Sequence, residues 1–243
     1  MAIALRGLKQ GDVAGPGSTI AITLPTGTTS TDVIIVSFGS DDGSAVGTWS
    51  APAGWTPLFN NFTSNNGSSY VGMIGFWALG SVSNLTFTKS GVVNELGWLC
   101  TGWTGVDNST PIDATGTTSS TNSNTASITA NSVTPVTTGA LELICLADWN
   151  SGTLTSSPST LNFILNGNTA GTAAASNASA DLCYGQSTLT GGVSSGTFSI
   201  TDAGNSSGQI LLAAPFALRP VAVPTISKLP LVIGQSVAGA VYF

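Results

Sequence analysis

The sequence predicts an all-β protein: a jelly-roll-like β-sandwich of about twelve antiparallel strands built from two similar halves, with an extended C-terminal arm. Three observations predict it. Helix signals are almost absent. Runs of β-branched and aromatic residues recur between Gly, Pro, Asn and Ser. Those runs fall into two sets that follow one another in the same order, which reads as an internal repeat.

Residues 1–18 form an N-terminal segment. Its start, Met1-Ala-Ile-Ala-Leu-Arg-Gly-Leu-Lys-Gln, lacks the long apolar core and the small-residue cleavage site of a signal peptide. The sandwich is expected over 19–220. In its first half, 19–106, strands are expected at 19–24, 32–38, 55–62, 70–78, 85–89 and 96–104. In the second, 126–220, they are expected at 126–129, 141–149, 161–165, 180–188, 197–201 and 209–218. Ile22-Thr-Leu answers to Ile128-Thr-Ala, and Thr31-Asp-Val-Ile-Ile-Val-Ser to Gly139-Ala-Leu-Glu-Leu-Ile-Cys. The Pro-Ala-Gly-Trp turn at 52–55 answers to a Ser/Pro turn near Pro158, and Leu85-Thr-Phe-Thr to Thr197-Phe-Ser-Ile-Thr. One large sandwich with interleaved halves is the expectation, because neither half is charged enough to solvate a second free surface. Two small stacked sandwiches are the alternative. The bridge 107–125 and the stretch 166–179 are polar and are expected to be exposed loops with nothing to bury.

The chain changes character at 221. Pro220, Pro224 and Pro230 block a helix and a central strand, so 221–243 is expected to be an extended arm. It is strongly apolar. Val221, Val223, Ile226, Leu229, Leu231, Val232, Ile233, Val237, Val241, Tyr242 and Phe243 are the candidate partner interface. A free arm of this composition is an aggregation hazard, so it must be covered. It either folds back as an edge strand of its own sandwich or reaches a neighbouring subunit.

Only 7% of the 243 residues are charged, 5 Lys+Arg and 11 Asp+Glu, and there is no His. A soluble protein of this length carries about sixty charged residues. Without His there is no His-dependent triad, no His-ligated zinc and no His proton shuttle. A net charge of -6 with five scattered cations argues against nucleic-acid binding. No stretch approaches 18 apolar residues, so no membrane span is expected. Cys100, Cys145 and Cys183 each sit in an apolar or aromatic run and are read as buried free thiols, with one disulfide and a leftover thiol as the alternative.

The acids offer little chemistry. Glu142 lies in an expected strand and Glu95 just before one, and nothing in the spacing brings them together as a glycosidase pair. Asp32, Asp107 and Asp202 lie beside turn residues, where Asp bonds its own backbone. Asp41-Asp42-Gly43-Ser44 reads as a solvated turn, since a calcium loop needs more carboxylates at fixed spacing. No catalytic residue, metal or cofactor is expected. Of the six Trp, Trp77, Trp98 and Trp103 lie within apolar strands and are assigned to the core. Trp98 and Trp103 are five apart, which alternation places on opposite sheet faces. Trp49 and Trp55 flank the Ser-Ala-Pro-Ala-Gly turn and are the candidates for a glycan-stacking platform.

Five sequence features carry a resemblance. They are Thr31-Asp-Val-Ile-Ile-Val, Ala51-Pro-Ala-Gly-Trp-Thr-Pro-Leu, Leu85-Thr-Phe-Thr, Gly102-Trp-Thr-Gly-Val-Asp with Pro111-Ile-Asp, and Phe216-Ala-Leu-Arg-Pro. Together, over about 19–220, they resemble a family of β-sandwich proteins encoded by tailed bacteriophages and prophages. The resemblance implies a non-enzymatic virion protein, a capsid decoration or cement protein or else a tail component, assembled in the bacterial cytoplasm. It implies as partners other virion proteins, the major capsid protein or tail proteins, and a homo-oligomer such as a trimer. The alternative is a tail or fibre component that binds host-surface glycans through Trp49 and Trp55. The arm beyond Pro220 departs from the family pattern.

Overall fold

A computed structural model describes residues 2–14, 19–43, 46–60, 62–65, 70–91, 95–121, 127–149, 153–165, 178–203 and 210–222. Among them there are eighteen strands and no helix, and the strands pair antiparallel. The first half carries β1 (Ala4–Ala14), β2 (Thr19–Ala21), β3 (Val33–Gly43), β4 (Trp49–Ser50), β5 (Thr56–Pro57), β6 (Phe62–Asn65), β7 (Tyr70–Leu79), β8 (Thr86–Lys89) and β9 (Glu95–Thr104). The second carries β10 (Ile112–Thr115), β11 (Ser119–Ser120), β12 (Ser127–Ala130), β13 (Leu141–Trp149), β14 (Thr153–Ser157), β15 (Leu161–Phe163), β16 (Ala178–Gly185), β17 (Phe198–Ala203) and β18 (Leu211–Leu218).

The repeat is visible in the strand order. The first half forms a large sheet β1-β9-β3-β7-β5, with β6 also on β7, and a small sheet β2-β8-β4. The second forms β10-β18-β13-β16-β15, with β11 also on β18, and a small sheet β12-β17-β14. Setting β6 and β11 aside, the two orders correspond strand for strand. Register agrees as well: Ile20 faces Phe87 and Trp49 faces Lys89 in the first small sheet, as Ile128 faces Ile200 and Leu154 faces Asp202 in the second.

The expectation of one interleaved sandwich is corrected. Each half closes its own two-layer sandwich, and the two large sheets then pack face to face, giving four layers. Three cores fill the three gaps. The middle one joins Val33, Ile35, Val71, Met73, Leu99 and Trp103 to Leu141, Leu143, Cys145, Leu182, Leu212 and Phe216. The first sandwich is filled by Ile34, Val36, Phe38, Trp49, Trp55, Phe87 and Trp98. The second is filled by Ile128, Ile144, Leu146, Leu154, Phe198 and Ile200. Stacking answers much of the solvation problem, because the central strands of the large sheets are covered on both faces. Strands buried on both sides read as continuous apolar runs, and β3 and β18 are buried almost throughout.

The outer sheets alternate cleanly. β2 presents Thr19 and Ala21 to solvent around buried Ile20, and β8 presents Thr86 and Thr88 around buried Phe87. Ser127 Oγ lies 2.8 Å from Thr201 Oγ1 across the other outer sheet. Hydroxyls therefore coat the outer layers as well as the loops.

Several expected boundaries change. Residues 4–14, within the N-terminal segment where no strand is expected, form the eleven-residue strand β1. The bridge 107–125, read as a loop, contributes β10 and β11. The strand expected over 55–62 divides into β5 and β6 around a turn. Most of the loop expected over 166–179 lies outside the described residues.

Candidate functional site: the junction between the halves

Two of the sequence features that carry the resemblance, Gly-Val-Asp with Pro-Ile-Asp and Ala-Leu-Arg-Pro, converge at one place. Val106 of the Gly-Val-Asp motif bridges Pro220 of the Ala-Leu-Arg-Pro ending. The Asp107 amide donates to the Arg219 carbonyl at 2.9 Å, and the Arg219 amide donates to the Pro111 carbonyl at 2.8 Å. The Arg219 guanidinium closes the arrangement. Its Nε meets Asp113 Oδ1 at 2.8 Å, and its Nη1 donates to Thr110 Oγ1 at 3.1 Å. Asp113 also accepts from the amides of Val136 and Thr137, at 2.7 and 2.9 Å. Burial pushes the Asp113 carboxyl up, but the Thr137, Arg219 and Val136 donors outweigh it and hold it below the usual range. Asp107 bonds the amide and hydroxyl of Ser109, which lowers its pKa. The motifs thus fasten the end of β9, the start of β10 and the end of β18 into one knot.

The C-terminal segment leaves from this knot. The Val221 amide donates to the Gly105 carbonyl at 2.9 Å, and Val221 is 41% exposed. Gly105 has φ +77°, and a Cβ there would stand 2.4 Å from the Ala2 carbonyl oxygen, so only glycine fits. A groove of about 700 Å³ opens beside it, between Ala2, Thr137–Gly139, Thr188 and Pro220–Ala222. The other arm residues singled out above, Val223, Ile226, Leu229, Leu231, Val232, Ile233, Val237, Val241, Tyr242 and Phe243, lie outside the described residues.

The proposed glycan platform is corrected. Trp49 and Trp55 are 9% and 7% exposed and belong to the core of the first sandwich. Trp49 packs on Phe38 with ring centroids 4.6 Å apart, and Trp55 packs on Phe87 at 5.1 Å. The Trp55 indole donates to the Asn84 carbonyl at 2.9 Å, so the Pro-Ala-Gly-Trp turn is a plug driven inward. Trp98 and Trp103 do take opposite faces, one in the first sandwich and one in the middle core. Trp77 is half-buried at the rim of the middle core.

The charged groups are mostly inside. Asp32, Asp41, Asp42, Lys89, Asp113, Glu142, Asp148, Asp181 and Asp202 are all buried, nine of the sixteen charged residues. Asp41 and Asp42, read as a solvated turn, are 2% and 0% exposed. Asp42 pairs with the buried Lys89 and accepts from the Gly47 amide at 3.1 Å. Lys89 Nζ also lies 5.7 Å from the centre of the Trp49 ring. Asp32 accepts from the Thr29 amide at 2.7 Å, as the turn reading expects, and also pairs with Arg6 at 2.7 Å. Asp202 departs from that reading and lies within β17. Among the described residues, no three acidic or cysteine side chains are grouped so as to hold a metal ion.

Glu95 and Glu142 stand in different large sheets. Burial, then Asp41 and Asp12, push the Glu95 carboxyl up. Glu142 is pushed up to about 7 by burial, against one bond from Ser195 Oγ at 3.0 Å. The three cysteines are free and buried, as the first reading of them held. Burial pushes Cys100 and Cys145 up to about 12 and Cys183 well above its ordinary value.

No family model, no curated protein and no solved structure matches the chain.

Proposed function

We propose that this chain is a non-enzymatic structural protein of a tailed-bacteriophage virion, a decoration or cement protein that stabilises the particle through subunit interfaces. We read its strand order as a jelly-roll winding used twice. The observation that carries the functional reading is where the charge sits. Nine of sixteen charged residues are buried, and four of them, Asp32, Asp42, Lys89 and Asp113, stand in ion pairs. Among the described residues that leaves only Arg6, Lys9, Asp12, Glu95, Asp107 and Arg219 to carry charge at or near the surface. Such a surface suits a subunit packed among others, and added interfaces stabilise a shell by mass action. The apolar C-terminal segment, which starts at a rigid knot, supplies an attachment arm. A glycan-binding tail role loses its support with the burial of Trp49 and Trp55.

Deleting residues 223–243 tests this reading. The truncated chain is expected to keep its fold, seen as an unchanged melting curve, and to lose attachment to particles in a co-sedimentation assay. Wild-type occupancy by the truncated chain would overturn the arm's role.

A further inference from the structure

Among the described strands, β1 is the long open edge. It pairs with β9 from Ala4–Thr104 to Ala14–Glu95, and no described strand lies on its other side. The other edges are short: β5 and β4 have two residues, β2 and β15 three, β12 four and β14 five. In the second half the place of β1 is taken by two fragments, β10 and β11, whose ladder on β18 breaks between Thr115 and Ser119, where Pro215 stands. A long open edge offers unpaired amides and carbonyls to another strand.

Charge narrows the occupant. Lys9 is the midpoint of β1, exposed between Arg6 and Asp12. Two β1 edges paired antiparallel over their full length would set Lys9 against Lys9. A neutral strand suits the edge better. Residues 231–243 carry no charged side chain and follow the last proline, Pro230.

Length decides whose segment it is. Ala222, the last described residue, lines one groove with Ala2, just before β1 begins. Residues 223–230 include Pro224 and Pro230, which favour extended backbone, and eight extended residues span about 25 Å. β1 itself spans about 36 Å. On its own copy, the spacer would run past about two-thirds of the edge before the uncharged segment began. A neighbour's edge carries no such offset.

We propose that the outer edge of β1 receives residues 231–243 of a second copy as an added strand. The contact is head-to-tail, and such contacts close into a ring when the rotation allows. This rests on the structural-protein reading above and names the surface that the arm occupies.

The test is disulfide trapping in the full chain. Leu8, on β1 and 37% exposed, becomes Leu8→Cys, and a separate chain carries Val237→Cys. The native thiols are buried and stay silent under mild oxidation. Mixing the two chains is expected to give a cross-linked heterodimer, well above the yield from Val136→Cys, an exposed control, mixed with Val237→Cys. Heterodimer at the control yield overturns the proposal, as does a predominance of Leu8→Cys homodimer. The double variant in one chain is expected to give dimers and larger species, and a purely internal disulfide overturns the assignment to a second copy. A chain that attaches to particles but fails this trapping loses only the edge assignment. A chain that traps but never attaches loses only the virion reading.

Discussion

Lys89 sits two residues beyond Phe87 on β8, so alternation turns both side chains inward. The ammonium is tolerated there because Asp42 meets it and the Trp49 ring lies near it. A buried pair is costly to break and cheap to replace whole. Lys89→Met is therefore expected to destabilise the chain by about 3–5 kcal/mol, because it strands a buried carboxylate. Adding Asp42→Leu is expected to recover most of that loss, read by urea unfolding of both variants. A double variant no more stable than the single one would refute this account. Glu142 gives a pH signature. Its carboxyl titrates near 4.5 when unfolded and about 7 when folded. Between those values the folded chain keeps a proton that the unfolded chain has released, so stability falls as pH rises. The loss is fully developed above about pH 7 and amounts to roughly 3 kcal/mol. Glu142→Gln is expected to raise the melting temperature near pH 8, leave it unchanged near pH 4 and flatten the slope between. A slope that persists in the variant would place the titration elsewhere.

At the scale of elements, the sequence declares the strands of the large sheets and hides the edges. β3, β7, β9 and β13 are runs of Val, Ile, Leu, Phe and Trp long enough to show their period. The odd spacing of Trp98 and Trp103 correctly separates two cores for the same reason. β1 escapes because Arg6, Lys9 and Asp12 recur every third residue and Gly7 and Gly11 interrupt the rest. Gly11 has a structural reason: a Cβ there would stand 2.6 Å from the Trp98 ring. β4, β5 and β11 are two residues each, too short for any period to register. The junction was legible in pieces, as motifs, but not as a site. Asp113 and Arg219 are 106 positions apart, and only the fold brings them within a hydrogen bond. A buried Lys89 could have been read from alternation along β8. The pairing with Asp42, 47 positions away, could not.

For the molecule as a whole, the middle core decides how the halves behave. Nineteen buried residues, fifteen of them on strands of the two large sheets, form it, so separating the halves would expose an apolar face on each. The chain is therefore expected to unfold in one calorimetric transition, with van't Hoff and calorimetric enthalpies in agreement. Two resolved transitions would show that the sandwiches stand alone. The knot at Arg219 also has a mechanical side. A pull on the C-terminal segment is met first by the Val221 bond to Gly105, then by the bonds of Arg219 to Pro111 and Asp113. Only then does it reach β18, which lies between β13 on one side and β10 and β11 on the other. Tension along that strand shears its flanking ladders together instead of unzipping one bond at a time. The last described strand, β18, is thereby placed to carry load into the interior of the fold.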